Sequence, residues 1–273
     1  MRRSERLIRS GAKRPVLSVL LLISAVICTP LAIRALEVDE PNAQDRQIVR
    51  TIAKRMKLFH LSNQDMDDDI SKKGFQLYLK SLDPSKMYFY QSDIDEFGAS
   101  ADELDDLAKS GDLSFAFAVF NRFLKRIEER LVVINQLIES EHDFTLDEVM
   151  MTDSDELEFA KNPAELKDRW RKRIKYSMLV EKSEETANED AKNKLHRRYT
   201  SFAKRMNQFD AEEVTELFLT SLTTAYDPHS TYFSQSTFDN FMIQMRLNLE
   251  GIGASLQSED GVTVVKRLSL IHI

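Results

Sequence analysis

A chain of 273 residues can form one large domain or two ordinary ones, and its hydrophobic content of 42% is enough for a core. Its formal net charge is −7. Residues 36–273 alone hold 31 basic and 44 acidic side chains, a net charge of −13 that excludes nucleic acid as an expected partner. Only seven glycines and six prolines occur, a scarcity that favours a mainly α-helical fold.

Residues 1–35 predict a targeting segment. A basic stretch, Arg2 to Arg14, precedes thirteen mostly apolar residues, Val16 to Cys28, which suit a signal peptide and are short for a membrane span. Cleavage is expected near Ala32 or Ala35, although an uncleaved signal anchor stays open. Both alternatives place the rest of the chain outside a bacterial-type cytoplasm, with the inner membrane contacted only through the signal segment. Because the single cysteine is Cys28, no thiol or disulfide chemistry is expected in the mature chain.

Residues 36–244 predict a multi-helix domain. The clearest helix covers residues 112–140, where apolar side chains recur in alternating steps of four and three. A capping box formed by Asp210 and Glu213 marks another helix start, whereas residues 141–165 are acidic, weakly periodic and expected to form a long connection. A coiled-coil structural protein is a weaker alternative, because the apolar seam ends before about four heptads.

Two stretches in this domain resemble each other. Residues 82–97 and 226–241 agree at eight of sixteen positions, with a constant offset of 144 residues. Each begins with Asp-Pro (Asp83 and Asp227), which predicts a helix end, and continues with a Tyr-Phe pair that offers apolar packing area. Each then has Ser-x-x-Asp (Ser92 and Ser236 are the serines), which predicts a new helix start. The repeat is therefore interpreted as scaffold rather than as an active site.

Few residues in the chain suggest chemistry, and we predict no catalytic residue, no metal site and no cofactor. His229 next to Ser230 could form a Ser/His pair, but the first copy has Ser85 at the histidine's position. The two repeated aspartates give one carboxylate per copy, a thin set of metal ligands. The acidic run "NQDMDDDI" is expected to begin a helix. The basic run "RWRKRIKY", residues 169–176, is expected to be an outer helix face or a contact for an acidic partner.

Residues 245–266 differ in character from the rest. Glycines recur at 251, 253 and 261, and "ASLQS", "EDG" and "VTVVK" read as strand, hairpin turn and strand. Free backbone N–H groups at the Gly251–Ala254 turn could hold a carboxylate, while the following strand offers its edge to an extended peptide. An ordinary tight turn would give the same short pattern.

The order of these motifs resembles the tail-specific (carboxy-terminal processing) proteases of the bacterial periplasm. The resemblance rests on "LDPSKMYFYQSDI", on "AELKDRWRKRIKY" and above all on the stretch from "DPHSTYFSQSTFDNF" to "LEGIGASLQSEDGVTVVK", and it covers roughly residues 40–266. It implies a helical N-terminal domain, then a PDZ domain and a Ser/Lys protease domain. It also implies substrates with apolar C-terminal tails and, in some members, a lipoprotein adaptor. The PDZ peptide-binding residues implied by it are Gly251, Ile252, Gly253, Ala254 and Leu256.

The resemblance places the Ser/Lys pair downstream of this chain, so the chain itself is expected to be an inactive fragment of a serine peptidase. Residues 245–266 would be the start of an incomplete PDZ domain. The last seven residues, 267–273, depart from the family pattern and are expected to be non-native. A non-enzymatic periplasmic helical adaptor or binding module remains the alternative, although it does not account for the glycine-rich stretch.

Overall fold

The computed structural model describes residues 38–183, 188–246, 254–259 and 262–268. Within these residues the chain is mainly α-helical and ends in a small antiparallel sheet, as predicted. No helix in this part of the chain combines the length and hydrophobicity needed to cross a bilayer. The elements in chain order are α1 (Ala43–Phe59), α2 (Asp68–Leu82), α3 (Gln91–Gly98), α4 (Leu104–Ser110), α5 (Ser114–Glu139), α6 (Pro163–Ser183), α7 (Asn188–Met206), α8 (Ala211–Tyr226), α9 (Gln235–Arg246), β1 (Ala254–Glu259) and β2 (Val262–Leu268).

Side-chain caps fix several helix starts. The predicted capping box at α8 is present: the Asp210 carboxylate accepts from the Glu213 N–H, and Glu213 accepts from the Asp210 N–H. Asp67 caps α2 by accepting from the Ile70 N–H, which confirms that the acidic run begins a helix.

The core is built around α5, the longest helix. Its apolar seam is buried for most of its length, as the alternating spacing predicts, and it joins two groups of core side chains. The first half of α5 packs with α1, α2, α4 and α8, and the second half packs with α6 and α7. The buried seam residues are Leu113, Phe117, Phe120, Leu124, Ile127, Ile134 and Ile138.

The helices α2 and α8, each of which leads into one copy of the repeat, pack directly against each other. A Cβ atom at Gly74 would lie 2.7 Å from a Leu222 methyl carbon, so the two helices cross here at close range. One turn further along α2, the Tyr78 ring meets the Phe218 ring edge-on at 5.7 Å. The offset of 144 relates Gly74 to Phe218 and Tyr78 to Leu222, so each contact joins the positions equivalent to those of the other, with α2 and α8 exchanged.

An extended segment without helix joins α5 to α6, as predicted for the acidic connection. Its Glu148 carboxylate accepts hydrogen bonds from Arg171 and Lys175, both on α6. These bonds lower the pKa of Glu148 to about 2. The basic run of α6 therefore has an acidic partner within its own chain.

The β-hairpin follows the predicted strand pattern. β1 and β2 pair antiparallel from Glu259↔Val262 outward, with a bulge between Ser255 and Leu256. The Asp-Gly turn, residues 260–261, lies outside the described residues. β2 continues to Leu268, two residues into the segment that the sequence suggests is non-native.

Candidate functional site

The predicted peptide-binding residues lie in and before β1. Gly251, Ile252 and Gly253 are outside the described residues, and Ala254 and Leu256 are on β1. The Leu256 side chain is 55% exposed, a large exposure for a leucine in a strand. In the described part of the chain β1 pairs with β2 alone, so its second edge has no strand neighbour there. The site itself stays a prediction.

The first Asp-Pro turn (residues 83–90) is organised by one buried carboxylate. Asp83 is 2% exposed, and its oxygens accept from the N–H groups of Met87 at 2.9 Å, Tyr88 at 2.8 Å and Phe89 at 3.0 Å. Burial raises the pKa of Asp83, while the three backbone hydrogen bonds and the charge of Arg130 act in the opposite direction. Three backbone donors on one buried carboxylate make Asp83 a structural residue of the turn.

The aromatic pair of this turn packs as the sequence predicts. The Tyr88 ring contacts the rings of Phe123, Trp170 and Phe202, each with its centroid 5.4 to 5.6 Å away. Phe89 is fully buried and packs on Phe97. Because Phe123, Trp170 and Phe202 come from α5, α6 and α7, the turn links the two halves of the core.

The predicted helix restart at Ser-x-x-Asp is off by two residues in both copies. In the first copy Asp93, not Asp95, accepts from the backbone N–H of Tyr90, and α3 begins at Gln91. In the second copy the hydroxyl of Ser234, not Ser236, accepts from a backbone N–H at the start of α9. Asp93 can take this role because α5 supplies Arg122 and Arg126 to its buried carboxylate, a tertiary contact that short-range patterns do not report.

The two copies share a glutamine–aspartate hydrogen bond in the first turn of the helix that follows. The Gln91 amide donates to Asp95 at 2.9 Å, and the equivalent Gln235 donates to Asp239 at the same distance. These are neighbouring side chains one turn apart on α3 and α9. The repeated glutamine and aspartate therefore stabilise the first turn of each helix.

The second Asp-Pro turn (residues 227–234) contains a serine, a histidine and an aspartate within contact of one another. The His60 Nε2 atom lies 3.1 Å from Ser230 Oγ, and Ser230 donates its hydroxyl proton to Asp227 at 2.8 Å. The other ring nitrogen of His60, Nδ1, contacts Ser62 at 2.8 Å. A nucleophilic triad needs the histidine between the serine and the acid, but here the acid binds the serine directly. The cluster therefore ties the end of α1 to the turn and does not activate Ser230.

Sequence patterns did not identify His60, which is 170 residues from Ser230 in the chain. The neighbouring His229, considered for a Ser/His pair, gives its backbone N–H to Asp227. The second copy is also less buried than the first. Phe233 is 37% exposed and packs on Phe241, where the equivalent Phe89 is fully buried against Phe97. The Tyr-Phe pair of the second copy also packs on neighbouring helices, as predicted, but it is less buried than the pair of the first copy.

Both Asp-Pro turns line one open groove of about 920 Å³. Its floor consists of apolar side chains of α2 and α8, and one side is closed by the extended segment before α6. In the described residues no three His, Cys, Asp or Glu side chains cluster in the manner of metal ligands. The lining residues with apolar side chains are Phe75, Leu77, Leu79, Pro84, Ile94, Phe159, Ala225, Tyr226 and Pro228.

Comparison with known proteins identifies a family and its members as relatives of this chain. Residues 52–236, which contain both Asp-Pro turns of the repeat, match the tail specific protease N-terminal domain. The chain is also similar to the tail-specific protease of Haemophilus influenzae, with 32% identity over 215 residues. That alignment covers 78% of this chain and 31% of the relative, so the chain spans less than a third of that relative's length. The match across the helical domain shows that the chain belongs to the tail-specific protease family.

Proposed function

We propose that this chain is the N-terminal part of a periplasmic serine endopeptidase that selects substrates by their apolar C-terminal tails. The observation that carries the proposal is the match of residues 52–236 to the N-terminal domain of this family. Hydrolysis would belong to a Ser/Lys domain encoded downstream of residue 266, where the family resemblance places this pair. The chain alone would then be inactive as a peptidase.

Tail recognition is assigned to the PDZ segment that begins at residue 245. A peptide would pair with the free edge of β1, its carboxylate held by N–H groups of the Gly251–Ala254 turn. Leu256 would contact the apolar side chains of the tail, and its 55% exposure leaves it available for this contact. Residues 1–35 would direct the protein to the periplasm, where a lipoprotein adaptor is a further expected partner.

The test begins with the gene. Sequencing beyond codon 266 is expected to reveal the remainder of a PDZ domain and a Ser/Lys domain. The complete product is expected to cleave a protein with an apolar C-terminal tail faster than the same protein with a polar tail. A genuine stop codon directly after Ile273 would instead support a helical adaptor or binding module.

A matched pair of variants in the complete product tests the site. Burial of a leucine side chain contributes about 1.5–3 kcal/mol, so Leu256→Glu is expected to weaken tail-dependent cleavage by about tenfold or more. Gln257→Glu changes the neighbouring exposed side chain on the opposite face of β1 and is expected to have little effect. Equal effects of the two variants would contradict the assignment of Leu256.

A further inference from the structure

The groove between the two Asp-Pro turns has the dimensions and lining of a ligand site. Its volume of about 920 Å³ is at the upper end of the range for ligand pockets, about 300–1,000 Å³. Phe75, Leu79 and Ala225 form a floor that is itself well buried, so the floor is fixed by the core. Leu77 and Phe159 are half-buried at its sides. An extended apolar segment of polypeptide fits such a channel better than a compact metabolite does.

Most charged side chains that line the groove have a hydrogen-bond partner within the chain, but one does not. Each lining carboxylate already accepts hydrogen bonds: Asp83 from three backbone N–H groups, Asp155 from Lys80, and Asp227 from His229 and Ser230. Lys80 is thereby paired, and Lys86 donates to the Leu157 carbonyl. In the described part of the chain Lys73 makes no hydrogen bond or ion pair, so it is the one lining charge left without a partner there.

Lys73 belongs to a ridge that faces the groove. Lys73, Gln76, Leu77 and Lys80 recur at helical spacing on one face of α2, and all four line the cavity. Gln76 is exposed and, like Lys73, has no side-chain hydrogen bond in the described residues. An ammonium and an amide N–H₂ three residues apart provide donors for one carboxylate beside an apolar floor.

We propose that this groove is a second polypeptide-binding site, which takes the apolar C-terminal end of another chain. The terminal carboxylate binds Lys73 and Gln76, and the last apolar side chains lie on Phe75, Leu79 and Ala225. A chain end supplies its carboxylate directly beside apolar side chains, which matches one unpaired cation next to an apolar floor. The choice of a C-terminal end rests on the proposed function, whereas the groove and its unpaired lysine do not.

The experiment uses the 273-residue chain and a short fluorescein-labelled peptide of alanine, valine and leucine with a free C-terminal carboxylate. Binding is measured by fluorescence anisotropy for Lys73→Glu and for Lys72→Glu, the adjacent exposed lysine that does not line the groove. Lys73→Glu is expected to weaken binding about fivefold, since an exposed ion pair contributes up to about 1 kcal/mol, and Lys72→Glu by less than about twofold. Both positions are exposed on α2, so neither substitution threatens the fold.

A double-mutant cycle identifies the group that Lys73 contacts. The same peptide with a C-terminal amide is expected to bind the unmodified chain about fivefold more weakly, and to lose no further affinity with Lys73→Glu. The hairpin is the other candidate contact for this peptide, so Leu256→Glu is measured alongside: an effect of Leu256→Glu without an effect of Lys73→Glu would place the peptide on the hairpin.

Three outcomes would overturn the groove site: no measurable binding, equal effects of Lys73→Glu and Lys72→Glu, or binding that Leu256→Glu weakens and Lys73→Glu does not. Self-association of the chain that Lys73→Glu abolishes would also overturn it, because the groove would then hold a second copy. Absent binding, or equal effects of the two lysine substitutions, says nothing about tail-dependent cleavage by the complete product, and an effect of Leu256→Glu alone would support the hairpin site. The two proposals therefore fail separately.

Discussion

Replacing Asp83 by alanine tests whether the first Asp-Pro turn depends on its buried carboxylate. The substitution leaves three backbone N–H groups without their acceptor, and that of the fully buried Phe89 has no access to water. A buried donor without a partner costs about 1–3 kcal/mol. The N–H groups of Met87 and Tyr88 belong to half-buried residues and take the lower end of this range, so the gross loss is about 3–5 kcal/mol.

Part of this loss is offset by the carboxylate's own desolvation. Burial raises the pKa of Asp83, which shows that its charged form is penalised in the folded protein. We therefore expect the lower end, about 3 kcal/mol, which lowers the melting temperature by roughly 6–12 °C in a chain of this size. Heating followed by circular dichroism measures the change.

Asp227→Ala is the matched control, because Asp227 occupies the same position in the second copy. Its carboxylate accepts from one backbone N–H and one hydroxyl, and its side chain is partly exposed, so water can replace it. A clearly smaller drop in melting temperature is expected. If the two variants melted at the same temperature, or if Asp83→Ala cost less than about 1 kcal/mol, the assigned role of the Asp83 carboxylate would be wrong.

Three further predictions follow from packing and charge. Gly74→Ala is expected to destabilise the protein by about 1–3 kcal/mol, because its Cβ would lie 2.7 Å from Leu222, whereas Gly98→Ala, with open space around it, should be neutral or slightly stabilising. Although burial acts to raise it, the pKa of Asp93 is lowered by hydrogen bonds from two arginines and a backbone N–H. Its contribution to stability is therefore complete above its unfolded pKa of about 3.9 and is lost as the pH falls through its lower folded pKa. Urea unfolding at several pH values should show the difference between the unmodified chain and Asp93→Asn shrinking below about pH 4. Glu148→Gln should speed limited proteolysis within residues 146–157, because the segment loses its charged attachment to α6; an unchanged cleavage rate would contradict this attachment.

Local patterns predicted the parts of this fold that depend on neighbours in sequence. The seam of α5 was visible because each of its buried residues is three or four positions from the next. The capping box at Asp210 needs contacts only three residues apart. Signals of this kind involve only residues that are close together in the sequence, so the sequence alone is enough to recognise them.

The start of α3 shows where such signals stop. Ser92 and Asp95 fit a helix-start pattern, but α3 begins two residues earlier, and its N-cap N–H, that of Tyr90, donates to Asp93. The Asp93 carboxylate is held by Arg122 and Arg126, about thirty residues away. The contact between His60 and Ser230 spans 170 residues and has no local signature at all. Tertiary partners decide among several locally acceptable caps, and those partners are known only once the helices are packed.

The groove could not be predicted either, because its lining comes from residues that are far apart in the sequence. Residues shared by the two copies form the turns themselves: the aspartates that accept backbone N–H groups and the glutamine–aspartate pairs that begin α3 and α9. The lysines and the glutamine that line the groove are not shared by the two copies. The offset of 144 pairs Lys73 with Leu217, Gln76 with Thr220, and Lys86 with Ser230.

A repeated turn thus supplies the shape of the groove, while residues present in one copy supply its charge. Identical residues in the two copies would make both sides of a site alike, but Lys73, Lys80 and Lys86 all come from α2 and the first turn, so the two sides of the groove differ in charge. A polypeptide has two different ends, and only a site with such asymmetry can distinguish them. If Lys73 and Lys80 were replaced by leucine and threonine, the residues at the equivalent positions of α8, we expect the groove to keep its shape and lose its preference for a free carboxylate.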